Sequence, residues 1–98
     1  MISKAEVIGK LKSSKPLLQS YGVIKIGLFG SVKRGEMSPN SDIDILIDFY
    51  SNQETFDNFM NTCNILEELF AGQKIDIVSE KGLSPFIGPH ILKDVEYV

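Results

Sequence analysis

The segment from Asp42 to Phe49, DIDILIDF, constrains the fold more than any other part of the chain. Ile43, Ile45, Ile47 and Phe49 alternate with Asp42, Asp44, Leu46 and Asp48. Successive side chains of a strand point to opposite faces, so this period of two predicts a β-strand with one apolar and one largely acidic face. The apolar face must be covered, and in a short chain amphipathic helices are the available cover.

The flanking segments supply them. Ile2 to about Ser20 carries apolar residues at Val7, Ile8, Leu11, Leu17 and Leu18, at helical spacings of three and four. Ser3 stands three residues before Glu6, a capping-box pattern, while Pro16 predicts a break near Ser13–Ser14. Val23 to Phe29 (VIKIGLF) reads as a strand, Val32 to Glu36 as a helical turn, and Met37 to Ser41 as a loop. Thr55 to Ala71 reads as a helix with Phe56, Phe59, Met60, Cys63, Leu66, Leu69 and Phe70 on one stripe and Gly72 as its stop. Lys74 to Ser79 (KIDIVS) is a third strand with Asp76 between Ile75 and Ile77. The tail from Phe86 to Val98 reads as a last short helix starting near Pro89. The order α-β-turn-β-α-β-α predicts an α/β (α+β) fold: a small mixed sheet with helices packed on one face.

Composition removes whole classes of function. A chain of 98 residues allows one domain, residues 1–98. The single cysteine, Cys63, excludes an internal disulfide framework, and the single histidine, His90, excludes a multi-histidine metal site. No apolar run approaches the roughly 18 residues of a membrane span. The charged N-terminus lacks the apolar stretch of a signal peptide, so the expected compartment is the cytoplasm. Charge is segregated: residues 1–34 carry +6 and residues 35–98 carry −9, for a net −3. The acidic part argues against direct nucleic-acid binding and suits a protein that collects cations, with ordinary surface charge as the plainer alternative.

Three pieces of the sequence carry chemistry. Gly30-Ser31 follows a strand directly. Glycine admits close backbone approach, and the serine adds a hydroxyl and an N–H, which suits phosphate; an ordinary strand-to-helix turn is the alternative. Asp42 and Asp44 lie on one face of their strand, where two carboxylates repel unless a divalent cation sits between them; a solvent-facing edge of the sheet is the alternative. Asp76 falls on the same face if the two strands are neighbours with their apolar sides on the same helices, and taken singly it reads as surface. Three convergent carboxylates suit a two-metal site for phosphoryl transfer, with ions about 3.5–4 Å apart.

The stretch GLFGSVKRGEMSPNSDIDILIDF resembles the signature of the DNA polymerase beta-like nucleotidyltransferases, and in particular their minimal members, the MNT-type antitoxins. The resemblance runs from the opening helix through KIDIVS to the tail, and implies the nucleotidyltransferase fold. It implies that Gly30 and Ser31 hold a nucleoside triphosphate, that Asp42 and Asp44 bind magnesium, and that Asp76 completes the metal site and helps activate the attacking hydroxyl. Arg34-Gly35 matches an arginine-glycine pair common in the family, whereas Lys33 stands where a small residue is usual. It further implies a HEPN-domain ribonuclease toxin as partner, and transfer of AMP from ATP to a tyrosine of that toxin.

Other residues receive plainer readings. Arg34 could contact phosphate or pair with Glu36 or Asp48. Asp48, Glu67 and Glu68 read as surface, His90 as a capping or surface residue, Cys63 as core, and Lys10, Lys12 and Lys15 as a solvated helix face. The expected function is magnesium-dependent nucleotidyl transfer to a protein hydroxyl. Its rivals are an antitoxin that acts by binding alone, against which the three acids argue, and transfer to a small molecule, against which the lack of a second domain argues.

Overall fold

The computed structural model describes residues 2–98. Four strands form one mixed sheet in the order β3-β2-β1-β4, where β1 is Val23–Phe29, β2 Ile43–Phe49, β3 Ile75–Ser79 and β4 Glu96–Tyr97. β1 runs antiparallel to β2 and β4, and β2 runs parallel to β3. The C-terminal end of β1 therefore meets the N-terminal ends of β2 and β3.

The alternation in β2 does what its period demands. Ile43, Ile45 and Ile47 are buried, and Ile45 and Ile47 pair directly with Leu28 and Ile26 of β1. Helices α1 (Lys4–Ser20) and α3 (Phe56–Leu69) cover this face through Val7, Leu11, Leu18, Leu66 and Phe70. Ser3 caps α1 in the expected box: its hydroxyl accepts from the Glu6 N–H at 3.1 Å, and its own N–H donates to the Glu6 carboxylate at 3.3 Å.

Several expectations need correction. α1 runs unbroken through Pro16. Proline removes the bond to the carbonyl four residues back, that of Lys12, and Lys12 and Pro16 are both exposed, so water can take the freed carbonyl. The Ser13 and Ser14 hydroxyls meanwhile donate to the Lys10 and Leu11 carbonyls at 2.8 Å. Along α3 the fully buried line is Thr62 and Leu66, continued by Phe70, with Cys63 only half-buried and Phe56 and Met60 exposed. The helical turn after β1 comes early, as α2 (Gly30–Lys33).

The largest difference is at the C-terminus. α4 is Gly88–Asp94, and the chain then straightens into β4. Gly27 makes room for it: a Cβ there would overlap the Val95 Cγ2 and lie 3.3 Å from the Tyr97 Cδ1. With this tail and the 80–88 turn beside it, the second face of the sheet is not a bare acidic surface. Leu46 is fully buried, and Asp48, expected at the surface, is 8% exposed. Asp48 accepts from the Lys81 ammonium at 2.6 Å, and the same ammonium donates to the Phe49 carbonyl. A buried carboxylate needs such a partner, and here it comes from a residue 33 positions away.

Candidate active site

Asp44 and Asp76 are paired residues in the parallel β2–β3 ladder, so the two carboxylates stand side by side on the face opposite α1 and α3. Asp42 is exposed and lies one residue before β2 begins. The neighbouring strand reinforces the arrangement: Asp44 also pairs with Phe29, the residue before Gly30. The strand pattern and the Gly-Ser turn thus meet at one end of the sheet.

Gly30 is tightly bound into this corner. Its φ is +76°, in the left-handed region, and a Cβ on it would collide with the Asp44 carboxylate oxygen and lie 3.0 Å from Asp44 Cγ. Only glycine satisfies both the backbone angle and the contact. Ser31 follows in the first turn of α2, and Arg34 is the residue that ends it. The Arg34 guanidinium donates from Nε to Glu36 at 2.6 Å and from Nη1 to Asp94 at 3.0 Å. The sequence reading left open whether Arg34 pairs with Glu36 or Asp48; it pairs with Glu36 and not with Asp48, and Asp94 was not foreseen.

The electrostatics single out one carboxyl. Burial pushes the Asp44 pKa up to about 6, with the Asp76 and Asp42 charges adding to the shift and Arg34 opposing it. A carboxylate pressed by like charges in a partly dry corner is in surplus of negative charge, the condition a cation relieves. Among the described residues, no three acidic, histidine or cysteine side chains form a ready-made metal cage. Asp42, Asp44 and Asp76 instead form an open acidic edge. That donor set fits magnesium, which takes one or two carboxylates and completes its octahedron with water and substrate phosphates.

A cavity of about 470 Å³ opens beside Asp76, walled by Phe29, Val78, Leu83, Ile87 and Ile91. A second, of about 300 Å³, is lined by Val32, Met37 and Ile43 and contains no carboxylate. The first adjoins the acids and has the apolar walls and polar rim of a ligand cleft. Two neighbours of the Gly30 turn escaped the sequence reading. Asp94 accepts from the Gly30 N–H at 2.9 Å, and Lys33 lies 3.6 Å from Asp94. Asp94 ends a short helix 64 residues after Gly30, and nothing local to either residue signals the contact.

Known proteins resemble this chain along most of its length. A family model described as a nucleotidyltransferase domain matches residues 8–98. Protein adenylyltransferase MntA of Thermococcus cleftensis is 38% identical over 84 residues, covering 86% of this chain and 83% of the relative. A solved structure described, provisionally, as a minimal nucleotidyltransferase superposes with a TM-score of 0.82 at 29% identity, covering 97% of this chain and 95% of that one. A toxin–antitoxin structure solved with AMP-PNP shares the fold at a TM-score of 0.56 and 20% identity, covering 98% of this chain and 72% of that one.

Proposed function

The chain belongs to the nucleotidyltransferase domain family, and from that membership we propose that it moves AMP from ATP onto a tyrosine of a partner toxin, and so acts as an antitoxin. The observation that carries this reading is the corner where Gly30 packs on Asp44 and Asp44 pairs with Asp76. It sets a turn suited to phosphate against a paired carboxylate edge. The adenylyl donor and the protein acceptor are supported by the name of the Thermococcus relative. The toxin partner draws on the toxin–antitoxin neighbour, and its assignment as a HEPN-domain ribonuclease draws on the sequence resemblance.

In this mechanism the Ser31 N–H and hydroxyl and the remaining donors of Arg34 hold the triphosphate. Asp42, Asp44 and Asp76 would hold two magnesium ions, which would neutralise the triphosphate and the charge that develops on the attacking and leaving oxygens. The tyrosine oxygen attacks the α-phosphorus, the bond from that phosphorus to the bridging oxygen breaks, and pyrophosphate leaves. Asp76, exposed at the rim of the cavity, takes the tyrosine proton. Residues 1–98 act as one catalytic domain in this reading, supported by a core to which α1, α3 and the sheet all contribute.

Asp76→Asn keeps the side chain's shape but removes its charge. Transfer should fall by at least about a hundredfold, the scale of lost general-base help, while nucleotide and partner still bind. Mass spectrometry of the partner after incubation with ATP and magnesium reads the added AMP. Equal modification by wild type and variant would remove Asp76 from the chemistry. Silencing of the partner without any modification would make the protein an antitoxin that acts by binding.

A further inference from the structure

We propose that Asp94 is a positioning residue for nucleotide binding: it fixes the Gly30 turn and Arg34 in the arrangement that receives the triphosphate. The proposal rests on the reading that Gly30, Ser31 and Arg34 form the triphosphate cradle.

The Asp94 carboxylate joins three parts of that cradle. Its Oδ2 accepts from the Gly30 N–H at 2.9 Å and from Arg34 Nη1 at 3.0 Å, and its Oδ1 lies 3.6 Å from Lys33 Nζ. The bond to Gly30 is the largest of the influences that hold the Asp94 carboxyl below the usual range, with Arg34 and Lys33 adding to it against the cost of burial.

Each partner needs what Asp94 supplies. Gly30 has the freest backbone of any residue type and sits at φ +76°, so its peptide orientation must be tied from outside. Arg34 is exposed and would otherwise spread over many rotamers. Two acids, Glu36 on one edge of the guanidinium and Asp94 on another, hold the fork and leave its other donors to face a phosphate. Asp94 is itself well anchored. It ends α4, and the next residues pack on Gly27 through Val95 and pair with β1 through Glu96 and Tyr97. The C-terminal segment thus holds the turn that follows β1. Asp94 is not needed as a metal ligand in this role, because its two oxygens are already engaged by N–H and ammonium groups.

The test is calorimetry on the full chain with two probes, ATP with magnesium, and manganese alone. Asp94→Asn should weaken ATP about tenfold, as loss of a charge-assisted bond does, and leave manganese binding within about twofold. In an Arg34→Ala background the same change should cost less than it does alone, since one of its targets is gone. A role confined to general stability would not show that coupling. Asp94→Glu, which keeps the charge, should recover most of the affinity, and it serves if the asparagine variant fails to fold. In Asp94→Ala the Gly30 amide proton should move upfield. Unchanged or tighter ATP binding by a folded Asp94→Asn protein overturns the proposal, the tighter result meaning that the carboxylate competes with phosphate. Equal loss of manganese and ATP overturns it in favour of metal ligation. Failure of the wild type to bind ATP overturns the cradle reading as well, so the two failures are distinguishable.

Discussion

Asp44 shows how a single residue records the purpose of its surroundings. Its carboxyl is raised to about 6 from an ordinary value of 3.8, first by burial and then by Asp76 and Asp42. The folded protein therefore holds this proton over a pH range in which the unfolded chain has released it. Stability from this group falls as pH rises from about 4 to about 6, and the full cost is present above that window. Asp44→Asn removes the charge at constant shape. Without metal, at pH 7.5, the variant should be more stable than wild type by on the order of 1 kcal/mol, a figure discounted for the carboxylate's partial exposure. That corresponds to a melting temperature roughly 4–8 °C higher. The advantage should vanish below about pH 4, where both proteins carry a neutral side chain. Thermal melts of the two proteins across pH check it, and a variant no more stable at pH 7.5 would show that no surplus charge resides there.

Among the elements, the two-residue strand β4 has influence out of proportion to its length. It covers β1, and Val95 fills the space that Gly27 leaves without a side chain. Gly27→Val places a branched side chain where Val95 and Tyr97 now sit. The tail should be forced from the sheet at a cost of about 1–3 kcal/mol, read by chemical denaturation. Because Asp94 immediately precedes Val95, ATP affinity should fall together with stability. A Gly27→Val protein with wild-type stability would mean that β4 contributes little to the fold. The Asp48–Lys81 pair, at 2.6 Å, belongs to the same scale: it ties the turn after β3 to the second face of the sheet.

The molecule as a whole gives the segregated charge a structural use. Lys4 pairs with Glu96, Lys25 with Glu80, and Lys33 and Arg34 with Asp94. Every one of these bridges joins the basic residues 1–34 to the acidic remainder, so much of the asymmetry is neutralised within the fold. Asp42, Asp44 and Asp76 are among the acids that these pairs leave uncompensated, and they share one edge of the sheet. Magnesium with ATP should raise the melting temperature, since a ligand at about 100 times its dissociation constant adds about 2.7 kcal/mol. The gain should shrink markedly between pH 7.5 and 5.5, where protons compete with the metal for Asp44. A gain that stayed constant across that range would separate the metal from Asp44.

The sequence by itself determined strands β1, β2 and β3, the long helices and most of the candidate site residues. A period of two in DIDILIDF admits one local structure and one wholly apolar face, and Gly30, Asp42, Asp44 and Asp76 are read from strand ends and strand alternation, which are local properties. The meeting of Asp44 with Asp76 also needed β2 and β3 to be neighbours in register, which the fold supplies. Only the tertiary structure decided the passage of α1 through Pro16, the burial of Asp48, the strand β4 and the place of Asp94. The physical reason is common to all four. A helix survives a proline when its freed carbonyl faces water, and an aspartate is buried when a distant lysine meets it. Two residues make a strand when an edge lies open beside a glycine, and a carboxylate joins a site when the end of the chain returns to it. Each depends on a neighbour far away in sequence, and no local period can carry that information.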